Sequence, residues 1–128
     1  MRLLLDTHAL LWWLNDHNLL PATARKVIGR EGNEVLVSAA SAWEIATKVR
    51  LGRLESGADL ARDFTGHLSR ARFVELPVSV EHAVRAGLLP GPHKDPFDRM
   101  LIAQAQAENV PIVSNDVALD GYGVRRVW

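Results

Sequence analysis

Four times in 128 residues a short, largely apolar run breaks off and gives way to a turn or a helical pattern, and this alternation constrains the fold more than any other feature. The runs are Met1–Leu5, Glu34–Val37, Phe73–Leu76 and Val110–Ser114, and Val124–Val127 reads as a last strand that closes the fold. Such lengths suit buried strands and are too short for helices. Between them the apolar residues recur with helical spacing over Thr7–Asn15 (Leu10, Leu11, Trp13, Leu14), Pro21–Arg30 (Ala24, Val27, Ile28) and Ser38–Leu51 (Ala42, Ile45, Ala46, Val49), the last stopped by Gly52. Leu60–Arg72, Val80–Leu88 and Pro96–Glu108 read as three further helices. Strands alternating with helices predict an α/β fold, with a mostly parallel sheet of about five strands covered on both faces.

The length suits one domain, residues 1–128, with a core of its own. No cysteine is present, which excludes disulfides and thiolate metal sites. No apolar run approaches the ~20 residues that a membrane span needs, so a soluble, cytoplasmic protein is expected. Lys plus Arg equals Asp plus Glu. Without a global basic field, a polyanion has to be held by local groups.

The most informative segment is His93-Lys94-Asp95-Pro96-Phe97-Asp98-Arg99. Asp95 before Pro96 reads as a helix cap with proline at the first helical position, where its missing N–H costs nothing. Asp98 then falls in the first turn, in line with Leu101, Ile102 and Ala105 on the buried stripe. Asp6 and Asp116 each follow a strand, and Ser41-Ala42-Trp43-Glu44 has the spacing of a capping box, which puts Glu44 in a first helical turn. Each of these acids alone is explained by capping. In a doubly wound sheet, however, all four places lie along the carboxyl ends of the strands. Carboxylates gathered to ~5 Å repel by about 3 kcal/mol per pair at an effective dielectric near 20. Raised pKa values or a bound cation relieve that repulsion. An all-oxygen donor set favours Mg²⁺ or Mn²⁺ over Zn²⁺.

Taken together, Leu3-Leu4-Leu5-Asp6-Thr7, Ser38-Ala39-Ala40-Ser41-Ala42-Trp43-Glu44-Ile45, Asp95-Pro96-Phe97-Asp98-Arg99-Met100-Leu101-Ile102-Ala103 and Val113-Ser114-Asn115-Asp116 resemble the PIN-domain family, and within it the VapC-type toxin ribonucleases of type II toxin–antitoxin pairs. The resemblance implies a three-layer α/β/α PIN-like fold and a Mg²⁺-dependent endoribonuclease (Mn²⁺ able to substitute) that cleaves phosphodiesters with metal-activated water. It implies Asp6, Glu44, Asp98 and Asp116 as the catalytic and metal-binding acids, with Asp6 and Asp98 the principal ligands. Asp95 stands as a cap, a holder of water or a replacement ligand for Asp98. A VapB-type antitoxin and a homodimer are the implied partners. Two other readings remain, a catalytically silent RNA- or protein-binding module and a phosphatase with Asp6 as nucleophile.

Around the acids, Thr7 and Ser114 are placed to steady a carboxylate, and Lys48, Arg50, Arg53, Lys94 and Arg99 to meet phosphates or solvent. Arg99 can instead pair with a cluster carboxylate. His8 and His93 are near the acids and are read as structural, not as metal ligands. Adjacent Trp12 and Trp13 point about 100° apart on a helix, so one is expected in the core and one partly exposed. Trp43 is expected in the core.

Overall fold

The computed structural model describes all 128 residues. Strand β1 (Arg2–Leu5) is central and runs parallel to β2 (Glu34–Ser38) on one side and to β4 (Ile112–Val113) on the other. The outer strands are β3 (Val74–Leu76) beside β2 and β5 (Arg126–Val127) beside β4, so the order is β3-β2-β1-β4-β5 and every pairing is parallel. The sheet has the five strands expected and is parallel throughout.

The pleat divides the strand side chains between two cores. Leu3, Leu5, Val35, Val37 and Val113 face one side. There they meet α1 (Thr7–Leu14), α2 (Ala22–Gly29), Ile45 of α3 (Ala39–Arg50), Leu60 of α4 (Ala58–Arg62) and Leu68 of α5 (Phe64–Ala71). Leu4, Leu36 and Ile112 face the other, against Leu101, Ile102 and Ala105 of α7 (Pro96–Glu108). Helix α6 (Val80–Leu88) packs on α7. Burial on both faces explains why the inner strands β1, β2 and β4 read as apolar runs, Leu3–Leu5, Val35–Val37 and Ile112–Val113.

Several boundaries differ from expectation for identifiable reasons. The helix expected over residues 60–72 is two helices, broken at Asp63, whose backbone leaves the helical region (φ −148°, ψ 64°) and whose carboxylate accepts the Gly66 N–H at 3.2 Å. A side chain at Gly66 would collide with that carboxylate. The fourth strand is only two residues long: Pro111 has no N–H to give, and the Val110 N–H bonds back to the Ala105 carbonyl. In the fifth, Gly123 takes a left-handed turn (φ +72°) that delays pairing until Arg126. Gly52 ends α3 at φ +71°, as its position suggested.

The tryptophans are corrected as well. Trp43 is 67% exposed, edge-on to Phe97 with ring centroids 5.2 Å apart. Helix α3 buries Ala40, Ser41, Glu44 and Ile45, which turns Trp43 and Ala46, three residues apart, outward together. Trp12 and Trp13 are both half-buried. Trp12 stacks on His17 and meets Trp128, while Trp13 lies against Phe73. No helix is long and apolar enough to cross a membrane.

Candidate active site

Strand order reverses at the junction of β1 and β4: the chain builds outward from β1 through β2 to β3, then returns to β4 and proceeds to β5. In open parallel sheets this switch point opens a crevice at the carboxyl ends of the strands. Asp6 leaves the end of β1, and Asp116 stands three residues beyond β4. Helix α7 brings Asp98 in its first turn, and α3 brings Glu44. Four elements far apart in sequence thus deliver one acid each to the same edge.

The acids are held differently. Asp6, 7% exposed, caps α1 by accepting the Ala9 N–H at 2.7 Å. Burial pushes its carboxyl above the ordinary range, while the Ser114 hydroxyl, the Ala9 N–H and His8 pull it down and Glu44 pushes it up. Glu44, 5% exposed, is gripped by both oxygens: Thr7 Oγ1 donates to Oε1 at 2.6 Å, and Lys48 Nζ to Oε2 at 2.5 Å. Thr7 has one hydroxyl proton and gives it to Glu44, so the Ser41 hydroxyl, 3.1 Å away, is the donor toward Thr7. Glu44 lies in the second turn of α3, not the first, because Ser38 is the cap and accepts the Ala40 N–H. The capping-box reading of Ser41 and Glu44 is therefore replaced. Both side chains point into the site and are joined through Thr7.

Asp95 is the cap of α7, accepting the Phe97 and Asp98 N–H groups at 2.9 and 3.4 Å. Asp98 is half-buried, and its carboxyl is pushed up to about 6. Desolvation is the largest cause, the Asp95 charge adds to it, His93 offsets part, and Glu44 and Asp116 raise it further. Asp116 Oδ1 accepts the Ala118 N–H at 3.0 Å, and the Asp116 N–H donates to the Ser114 hydroxyl at 3.0 Å. Ser114 and Thr7 do steady the acids, as their positions suggested.

The sign of the Asp98 shift sets a pH dependence. A carboxyl whose folded pKa exceeds its unfolded value binds its proton more tightly when folded. Its stabilisation is fully present below about 4 and is lost as pH rises through about 6. Asp6 acts in the same direction. Urea unfolding without divalent ions is expected to show a contribution at pH 5 that has disappeared by pH 7.5, and Asp98→Asn should remove most of it. An unchanged difference in that variant would refute the assignment.

His93 is the participant that sequence reasoning set aside. Its Nε2 lies 3.3 Å from Asp98 Oδ2 and 3.3 Å from Asp116 Oδ2, and ligand atoms of all three residues fall within 4.8 Å of one another. Its position on the Pro90-Gly91-Pro92 loop, close before Asp98, was the available signal. Arg99 fixes that loop instead of pairing with a cluster carboxylate. Its guanidinium donates to the carbonyls of His93 (3.0 Å), Ala86 (3.1 Å) and Leu89. Arg99→Met is expected to cost about 2 kcal/mol in urea unfolding, since it leaves several carbonyls without a charged donor. A loss below about 0.5 kcal/mol would show that the loop holds without it. Of the other cations, Lys48 is engaged with Glu44, whereas Arg50, Arg53 and Lys94 are exposed. Beside His93 and Asp116 a cleft of about 1020 Å³ opens, lined by Gly91, Lys94 and Tyr122 among others.

The donor chemistry fits a hard divalent cation. The groups are carboxylate oxygens with one imidazole and no thiolate.

Known structures share this architecture. VapBC2 from Rickettsia felis, crystallised bound to a DNA fragment from its promoter, superposes with a TM-score of 0.71 at 18% identity, over 98% of this chain and 97% of that one. VapC20 from Mycobacterium tuberculosis, described as a Sarcin-Ricin loop cleaving toxin, gives 0.65 at 15% identity over 95% of both chains. FitAcB from Neisseria gonorrhoeae gives 0.60 at 16% identity, over 97% and 95%. No curated protein matches significantly in sequence. The PIN domain family profile matches residues 3–124, from β1 to the threshold of β5, and the chain belongs to the PIN-domain family.

Proposed function

We propose that this protein is a Mg²⁺-dependent endoribonuclease, with Mn²⁺ able to substitute, and the toxin of a VapC-type toxin–antitoxin pair. The observation that carries the proposal is the meeting of Asp98 and Asp116 with His93, their ligand atoms within 4.8 Å of one another, beside the buried acids Asp6, at the end of β1, and Glu44, on α3. Their charges are felt across the cluster: Glu44 and Asp116 act on Asp98, and Glu44 acts on Asp6. Capping accounts for Asp6 and Asp116 but not for Glu44 or Asp98, neither of which caps a helix.

Asp6, Asp98 and Asp116 are the acids we assign to hold the cation, with Glu44 as a further ligand or an orienter of water. Bound there, a divalent cation would neutralise a phosphoryl oxygen and lower the pKa of an attacking water. The chain's own groups supply alignment. Thr7 and Lys48 fix Glu44, and Ser114 fixes Asp116 and the buried Asp6. The Lys48 side chain is 42% exposed, but its ammonium is held by Glu44. A phosphatase with Asp6 as nucleophile is disfavoured, because His8 stands two residues on, where phosphatases of the dehalogenase type carry a second aspartate.

An antitoxin and a second copy of the chain are the proposed partners. The toxin–antitoxin names of the structural neighbours support the first, and exposed apolar side chains such as Trp43, Val84 and Leu88 are compatible with partner surfaces. The deciding comparison is purified protein with Mg²⁺ on total RNA, single-stranded DNA and a small phosphomonoester. Cleavage of RNA alone, leaving 5′-phosphate ends and stopped by EDTA, is expected. Hydrolysis of the monoester, or inertness on RNA, would overturn the reading.

A further inference from the structure

We infer that His93 is a positioning residue of this site, a hydrogen-bond donor shared by Asp98 and Asp116, and not itself a ligand of the cation. The inference rests on the nuclease reading above. His93 is 15% exposed and fixed from several sides. Its N–H donates to the Tyr122 hydroxyl at 2.9 Å, its carbonyl accepts from Arg99 at 3.0 Å, and its ring lies beside that of Tyr122 with centroids 6.5 Å apart. Gly91 permits the close approach, since any side chain there would strike the Tyr122 ring.

The ring's tautomer follows from its surroundings. Nδ1 faces the Asp95 N–H at 3.4 Å, and a backbone amide can only donate. Nδ1 is therefore the acceptor, and in the neutral ring the proton sits on Nε2. That Nε2–H points at two carboxylate oxygens, Asp98 Oδ2 and Asp116 Oδ2, each at 3.3 Å. A histidine that ligates a metal through Nε2 needs its lone pair there and normally donates its other N–H to a carboxylate, a carbonyl or water. Here that other nitrogen would meet the Asp95 N–H, donor against donor. The backbone N–H of the α7 cap thus reserves His93 for donation. Its role is to hold one oxygen of each aspartate, so that two acids from α7 and the β4 exit keep a common orientation and the inner donor set stays all oxygen.

Three measurements test this. In ¹⁵N-labelled protein, ring-nitrogen shifts of His93 at neutral pH should report the Nε2–H tautomer without metal and again with saturating Mg²⁺. In calorimetric Mg²⁺ titrations, His93→Ala should weaken binding by about 10- to 100-fold, while His93→Gln, whose amide can still donate, should recover most of it. Circular dichroism and thermal unfolding confirm that both variants are folded. A Nδ1–H tautomer, or a directly bonded nitrogen in the electron spin-echo spectrum of the Mn²⁺-loaded protein that is missing in His93→Ala, would overturn the inference, as would equal Mg²⁺ affinity in wild type and His93→Ala. Failure of the wild type to bind Mg²⁺ or Mn²⁺ at all would instead overturn the nuclease reading, and the tautomer without metal would still test the donor role.

Discussion

Asp98→Asn should lower Mg²⁺-dependent RNA cleavage by about 100-fold or more, while Asp95→Asn should keep activity within about tenfold. The two acids are three residues apart and do different work. Asp95 spends its Oδ1 on the Phe97 and Asp98 N–H groups. Asparagine is as good a cap as aspartate, so Asp95→Asn should preserve the helix start, whereas Asp95→Ala should cost about 1 kcal/mol of stability. Asp98 makes no helix-capping bond. Its carboxylate meets His93 and the charges of Glu44 and Asp116. Replacing it removes a charged oxygen donor from the cluster, and lost electrostatic stabilisation of a transition state commonly costs factors of about 10² to 10³. Cleavage rates of the two folded variants, measured side by side at saturating Mg²⁺, check the division. If Asp95→Asn is dead and Asp98→Asn active, the roles are reversed.

The largest effect on stability is expected at Ile102. It is 0% exposed, one turn beyond Asp98 on α7, and belongs to the core with Leu4, Leu36 and Ile112. Ile102→Ala should cost about 2–5 kcal/mol in urea unfolding, through lost transfer energy and the cavity left behind. Leu88→Ala on α6, at a position 78% exposed, is the control and should change stability by about 0.5 kcal/mol or less. A similar loss at both positions would mean that the α7 face of the sheet is not packed as described. Because Ile102 and Asp98 share one face of one helix, the substitution should also loosen the acid. Activity would then fall even at temperatures where the variant remains folded.

Most of the fold was legible because both faces of the sheet are buried. Leu3-Leu4-Leu5 and Val35-Leu36-Val37 are apolar throughout and can be little else than interior strands. Helix α7 was also legible, since Asp95, Pro96 and the Leu101-Ile102-Ala105 stripe all point to the same start and the same face. What escaped depended on tertiary contact. Helix α3 shows where local reading fails: Glu44 looked like a capping acid, and it is buried because Thr7, from α1, and Lys48 satisfy it. Burying Glu44 rolled the helix and expelled Trp43, a residue that hydrophobicity alone would place inside. His93 escaped because its partners come from separate elements, Asp98 on α7 and Asp116 beyond β4. Arg99 sits beside an acid in sequence but bonds to carbonyls of the preceding loop and helix, which charge pairing could not anticipate.

The central claim is that acids from four elements make one site for a divalent cation. Calorimetric titration of Mg²⁺ into the wild-type protein and into Asp98→Asn at pH 7.5 tests it most directly. Saturable binding in the wild type, lost or weakened at least tenfold in the folded variant, is the predicted result. Equal binding in both proteins, or none in either, would contradict it.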